Sequence, residues 1–156
     1  IDITETLTIT GPAAGQTISG NNASRIFAVT ESEQPLMLEN LILTDGYTTA
    51  YGYISPTCAA NTGEGGAVCS LSDVTLTSST VSGNRTAGED ATGGGLLVRH
   101  SNATLINSTV SGNSTTGVFA FGGGLRMYYG NATLTNSTIS GNYTTGDYAQ
   151  GGGLSL

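Results

Sequence analysis

A 29-residue self-similarity dominates this chain. "DVTLTSSTVSGN" (Asp73–Asn84), "NATLINSTVSGN" (Asn102–Asn113) and "NATLTNSTISGN" (Asn131–Asn142) are three versions of one segment. Leu76, Leu105 and Leu134 stand 29 residues apart, as do Asn84, Asn113 and Asn142, and the glycines Gly66, Gly95, Gly124 and Gly153. A fixed period of this size calls for a solenoid, a propeller or an array. Each repeat carries several Gly and many Ser and Thr but no run of good helix formers, which excludes helical solenoids. Within "ATLINSTV" the apolar residues alternate with period two, the mark of a short strand. Gly and Asn between the strands supply the positive φ that sharp corners need. A propeller blade needs more residues and aromatic signatures that are missing here. The pattern predicts an all-β fold, a parallel β-helix (β-solenoid) of about five coils. Each repeat forms one coil of two or three strands, and each strand pairs with its counterpart one coil away, at about 4.8 Å.

The repeat also predicts a cross-section. Leu76, Leu105 and Leu134 form one inward aliphatic ladder; Val81, Val110 and Ile139 form a second; Leu96, Leu125 and Leu154 form a third. Two residues beyond the first ladder, Ser78, Asn107 and Asn136 are expected to turn inward at a corner, where stacked amides bond one another and the bent backbone. "LENLIL" places Leu38, Asn40 and Leu43 on the same positions one coil earlier, so Asn40, Asn107 and Asn136 make an inward Asn ladder. "TLTITG" places Leu7 on the first ladder, giving leucine-to-leucine coil lengths of 31, 38, 29 and 29. The 156 residues read as one domain. Its degenerate coils span 1–65, with a loop insertion at 46–65 rich in Tyr, and its regular repeats span 66–156.

Net charge is −7, Lys is absent, and the only cations besides His100 are Arg25, Arg85, Arg99 and Arg126. A nucleic-acid partner is therefore not expected, since nothing neutralises a row of phosphates. No apolar run approaches the roughly 18 residues of a membrane helix. The chain opens on Ile1 rather than Met, which reads as a processed or excerpted piece. No His/Cys/Asp/Glu grouping has metal-ligand spacing and no cofactor motif is present. Cys58 and Cys69 lie within or beside the insertion. They read either as two buried thiols or as a local disulfide contributing about 2–3 kcal/mol. The disulfide is favoured because the rest of the chain reads as extracellular.

Eight of eleven Asn lie in N-x-S/T, an excess the copied repeat largely explains. Asn22, Asn84, Asn102, Asn113, Asn131 and Asn142 are candidate glycosylation sites, with Asn102 and Asn131 at an exposed turn. Asn107 and Asn136, expected inside, should be bare. Arg99 and His100, with Tyr128 and Tyr129 one coil on, form a small cationic and aromatic patch suited to a sugar or a partner. The plainer reading is a solvated turn. Glu89 and Asp147 occupy equivalent loop positions two coils apart, and solvated loop charge explains them better than a paired-carboxylate site.

The runs "LTITGPAAGQTISGNNASRIFAV", "LENLILTDG" and the repeated "GGGL…NATLTNSTISGN" resemble the secreted right-handed parallel β-helix repeats of large bacterial surface proteins, the polymorphic outer-membrane and filamentous adhesin-like group. The resemblance covers nearly the whole chain. It implies right-handed coils and an extracellular or cell-surface location. The function it implies is non-enzymatic and structural: a subunit stacking head-to-tail into a surface filament, or an adhesive fibre or stalk. A carbohydrate-binding or polysaccharide-degrading β-helix module is the alternative, because the same fold serves both. One period beyond Leu134 falls seven residues past Leu156, where Leu7 of a following copy would stand. Self-association is expected on that phase, through Ile1, Ile3, Leu7, Leu154 and Leu156, because uncapped sheet edges invite pairing.

Overall fold

The computed structural model describes residues 1–49, 57–58 and 62–156. Most of the insertion, including Tyr51 and Tyr53 of its tyrosine-rich stretch, lies outside the described residues. The described chain is a parallel β-solenoid of about five coils with no helix. The first coil comprises β1 (Asp2–Ile3), β2 (Leu7–Thr10) and β3 (Gln16–Ser19). The second has β4 (Phe27–Val29), β5 (Leu36–Glu39), β6 (Leu41–Thr44) and β7 (Tyr47–Thr49). The third has β8 (Val68–Ser70), β9 (Val74–Thr77), β10 (Thr80–Ser82) and β11 (Arg85–Ala87). The fourth has β12 (Leu96–Arg99), β13 (Ala103–Ile106), β14 (Thr109–Ser111) and β15 (Ser114–Thr116). The fifth has β16 (Leu125–Tyr128), β17 (Ala132–Thr135), β18 (Thr138–Ser140) and β19 (Tyr143–Thr145), and β20 (Leu154–Ser155) begins another turn. The second to fifth coils have four strands each, where two or three are expected, and the first has three.

Corresponding strands stack into four sheets running the length of the solenoid: β1-β4-β8-β12-β16-β20, then β2-β5-β9-β13-β17, then β3-β6-β10-β14-β18, and β7-β11-β15-β19. Every pairing is parallel, so each ladder stacks like on like. Leu38, Leu76 and Leu105 form the first ladder, Leu43, Val81 and Val110 the second, and Phe27, Val68, Leu96 and Leu125 the third. All are buried, and each contributes on the order of 1.5–3 kcal/mol of burial energy.

Two register expectations are corrected. Leu7 pairs with Leu36, and it is Ile9 that pairs with Leu38 on the first ladder. Both segments carry two apolar residues on one face, so either pairing satisfies the alternation and only the neighbouring turns decide. The first coil is thus 29 residues long rather than 31, and the phase match expected for a following copy falls two residues short. The glycine alignment also slips: Leu96 pairs with Val68, which puts Gly94 rather than Gly95 opposite Gly66. At Gly94 a Cβ would lie 2.3 Å from the Ser114 carbonyl oxygen and 2.4 Å from that of Gly123, so the coil can close only around a hydrogen.

The third correction concerns the polar interior. Ser78, Asn107 and Asn136 have φ of 48°, 50° and 50° and are exposed, while Asn40 (φ 54°) is half-buried. Strand alternation does not survive the left-handed corner residue, which swings its own side chain outward and turns the next one in. The inward groups are Ser79, Ser108 and, in the open last coil, Ser137. Ser79 Oγ accepts from the Leu41 amide, Ser108 Oγ from Ser79, and Ser137 Oγ from Ser108. The inward Asn ladder exists one corner later. It is formed by Asn84, Asn113 and Asn142, each directly after a positive-φ glycine.

Candidate functional site

The polar ladder is the most completely bonded feature of the interior. Asn84 and Asn113 are fully buried. Asn113 Oδ1 accepts from the Asn84 amide at 3.0 Å and from Asn84 Nδ2 at 2.9 Å. Asn142 Oδ1 accepts in the same way from the Asn113 amide and Nδ2, both at 2.9 Å. Asn84 Oδ1 closes the row by accepting from the Gly46 amide at 2.8 Å. The side-chain amides therefore bond coil to coil and satisfy backbone donors at a corner where the strands do not.

This arrangement corrects the glycosylation candidates. Asn84 and Asn113 are inside, and Asn142 is half-buried and engaged with Asn113, so none presents a free amide to an oligosaccharide. Asn102 and Asn131 are exposed as expected, and Asn22 is exposed too. Asn107 and Asn136, expected to be hidden, are exposed as well.

A second polar group lies on the outer face of the first sheet, where the part of the insertion that is described folds back. The Sγ atoms of Cys58 and Cys69 are bonded at 2.05 Å, and Leu97 packs with them. Beside the disulfide, Glu64 is fully buried; it accepts from Arg99 at 2.5 Å and from the Thr62 hydroxyl at 2.9 Å. Arg25 donates to the carbonyls of Cys58, Glu64 and Gly65 and to the Thr62 hydroxyl. Burial pushes the Glu64 carboxyl above the ordinary range, and the Arg99 charge opposes part of that rise. Burial likewise lowers Arg25 to about 10, against the pull of Glu64. Arg99 is thus a buried anchor and not an available ligand group, contrary to its place in the expected patch.

The rest of that patch comes together around Arg126, which spacing alone does not single out. His100 and Tyr129 occupy equivalent corners one coil apart (φ 53° and 58°) and stack at 5.2 Å between centroids with 19° between planes. Tyr128 meets Tyr129 edge to face at 4.9 Å. The Arg126 guanidinium lies 5.1 Å from the Phe121 ring centroid and 5.8 Å from that of Tyr128, while Arg99 lies beneath Tyr128 at 5.0 Å. Arg126, Met127, Tyr128, Tyr129 and Leu156 line a shallow hollow of about 240 Å³. A single Arg in a strand gives no signal of its own; only stacking Arg126 on Leu97 and beside Phe121 reveals it.

The fold and these sites define the chain as a parallel β-solenoid. Comparison with family models, with curated proteins and with solved structures returned no match. No described helix is long and apolar enough to cross a membrane.

Proposed function

We propose that this chain is a non-enzymatic, extracellular structural module, a rod whose coils stack head to tail with those of a second copy into a filament or stalk. The observation that carries the reading is the like-on-like parallel pairing by which each described coil takes the next. Leu134 is 39% exposed, whereas Leu76 and Leu105 on the same ladder are 0% exposed. Ile139 and Leu154 are likewise only partly covered. The first coil offers the complementary surface, with Leu7, Ile9 and Ile18 partly buried on the same ladder system. Parallel strands with identical register can continue across such a junction by the pairing that builds the solenoid itself, and a contact of this heterologous kind does not close on itself.

The register adds one condition. β1 and β20 occupy the same slot of the first sheet, since Ile3 and Leu156 fall on one ladder through Val29, Ser70, Val98 and Met127. When β2 of one copy pairs on β17 of the next, one of the two short strands gives way. The axial rise is then five coil spacings, about 24 Å. Electron micrographs of the purified chain test this reading. Fibres with a repeat near 24 Å are expected; isolated particles at all concentrations would sink it.

A further inference from the structure

We infer that the outer face of the first sheet in the fourth and fifth coils is a binding site for an anionic saccharide, a pyranose bearing a carboxylate, seated on His100, Tyr128 and Tyr129 and held by Arg126. Tyr129 is 71% exposed, and its stacked partner His100 is exposed as well. Together they present a flat aromatic surface. Bulky residues rarely occupy left-handed corners, and two in register here hold their rings outward at a backbone cost. A pyranose presents a face of C–H bonds that lies against such rings, and its hydroxyls reach polar groups at the rim.

Charge selects the ligand. The chain is acidic overall at −7, yet three of its five basic side chains, Arg99, His100 and Arg126, converge on this face. Arg99 is consumed by Glu64, whereas Arg126 has no Asp or Glu partner among the described residues. It donates instead to the Ser155 hydroxyl and, at 3.4 Å, to the Leu156 main-chain oxygen, contacts that a ligand carboxylate can displace. Phe121 and Tyr128 both lie within cation–π reach of it, and its planar fork favours bidentate pairing with a carboxylate. One available guanidinium matches one carboxylate per sugar and is too few for a polyphosphate. A second exposed aromatic pair, Phe119 stacked on Tyr148 at 5.1 Å, sits beside Asp147 and Asp90 and lacks any such cation. Its charge would repel the same ligand.

Calorimetric titration of the intact chain with oligouronates of the galacturonic, glucuronic and mannuronic types, and with the same chains methyl-esterified, tests the assignment. At least one acid form should bind, and its ester should bind at least about tenfold more weakly. Tyr129→Asn keeps a residue tolerant of the left-handed corner, so its melting temperature should hold while affinity falls at least about tenfold. Arg126→Gln should bring the acid form down to the affinity of the ester. Absence of binding by all three acid forms would overturn the assignment, as would equal affinity for acid and ester, or full affinity in Tyr129→Asn.

Discussion

Replacing Asn113 by alanine removes the central rung of the amide ladder. Asn113 accepts two hydrogen bonds from Asn84 and donates two more, to the Val81 carbonyl and to Asn142 Oδ1. The fully buried Asn84 amide loses its acceptor, and an orphaned buried group costs about 1–3 kcal/mol. The void left by the side-chain amide and the remaining broken bonds bring the expected loss to about 3–5 kcal/mol. For a chain of this length that lowers the melting temperature by about 10 °C. Thermal and urea denaturation followed by circular dichroism measure it. Asn107 is the control, because it is exposed at φ 50°, so Asn107→Gly should stay within about 0.5 kcal/mol of wild type. If Asn113→Ala cost less than about 1 kcal/mol while Asn107→Gly cost more, the reasoning about which amides face inward would be refuted.

Three further outcomes follow from the interior. Gly94→Ala drives a Cβ against two backbone carbonyls and should cost about 3 kcal/mol or more; Gly112→Ala, with nothing within 4 Å, should cost only the backbone term of about 1 kcal/mol. Equal melting temperatures for the two variants would contradict the close approach at Gly94. Thr86 Oγ1 is buried with no hydrogen-bond partner among the described residues, so Thr86→Val should stabilise by about 1 kcal/mol in denaturant titration, and a clear loss of stability would show that the hydroxyl is bonded. The raised Glu64 carboxyl makes the folded chain hold a proton that the unfolded chain releases. That stabilisation is full below the ordinary carboxylate range and is lost as pH rises through the folded value. Wild type should therefore lose melting temperature relative to Glu64→Gln as pH is raised from about 4 to about 7, and a difference independent of pH would contradict it.

The period and the three aliphatic ladders were legible because copied sequence stacks like on like. The Leu and Val positions at 76, 81, 105 and 110 need no knowledge of the corners. Strand parity does not carry through the left-handed corners. Two residues past Leu105, Asn107 has the parity of an inward residue, but its left-handed backbone ends the alternation. In the regular repeats the tripeptide "SGN" carries the signal that corrects this, since a positive-φ Gly at 83, 112 or 141 placed directly before Asn aims that Asn inside. Leu7 and Ile9 were indistinguishable because both lie on one face of β2. Glu64 and Arg99 are 35 residues apart across an irregular coil, so no spacing rule joins them. Arg126 is visible as a candidate only once the coils are stacked.

Self-stacking by coil-on-coil pairing is tested most directly by light scattering of wild type beside Leu134→Glu. Leu134 is 39% exposed on the terminal ladder, so a carboxylate there is tolerated in the free chain but is buried in the stack. Wild-type particles should grow in mass with concentration while Leu134→Glu stays folded at monomer mass. A wild type that holds monomer mass at every concentration, indistinguishable from the variant, would contradict the account.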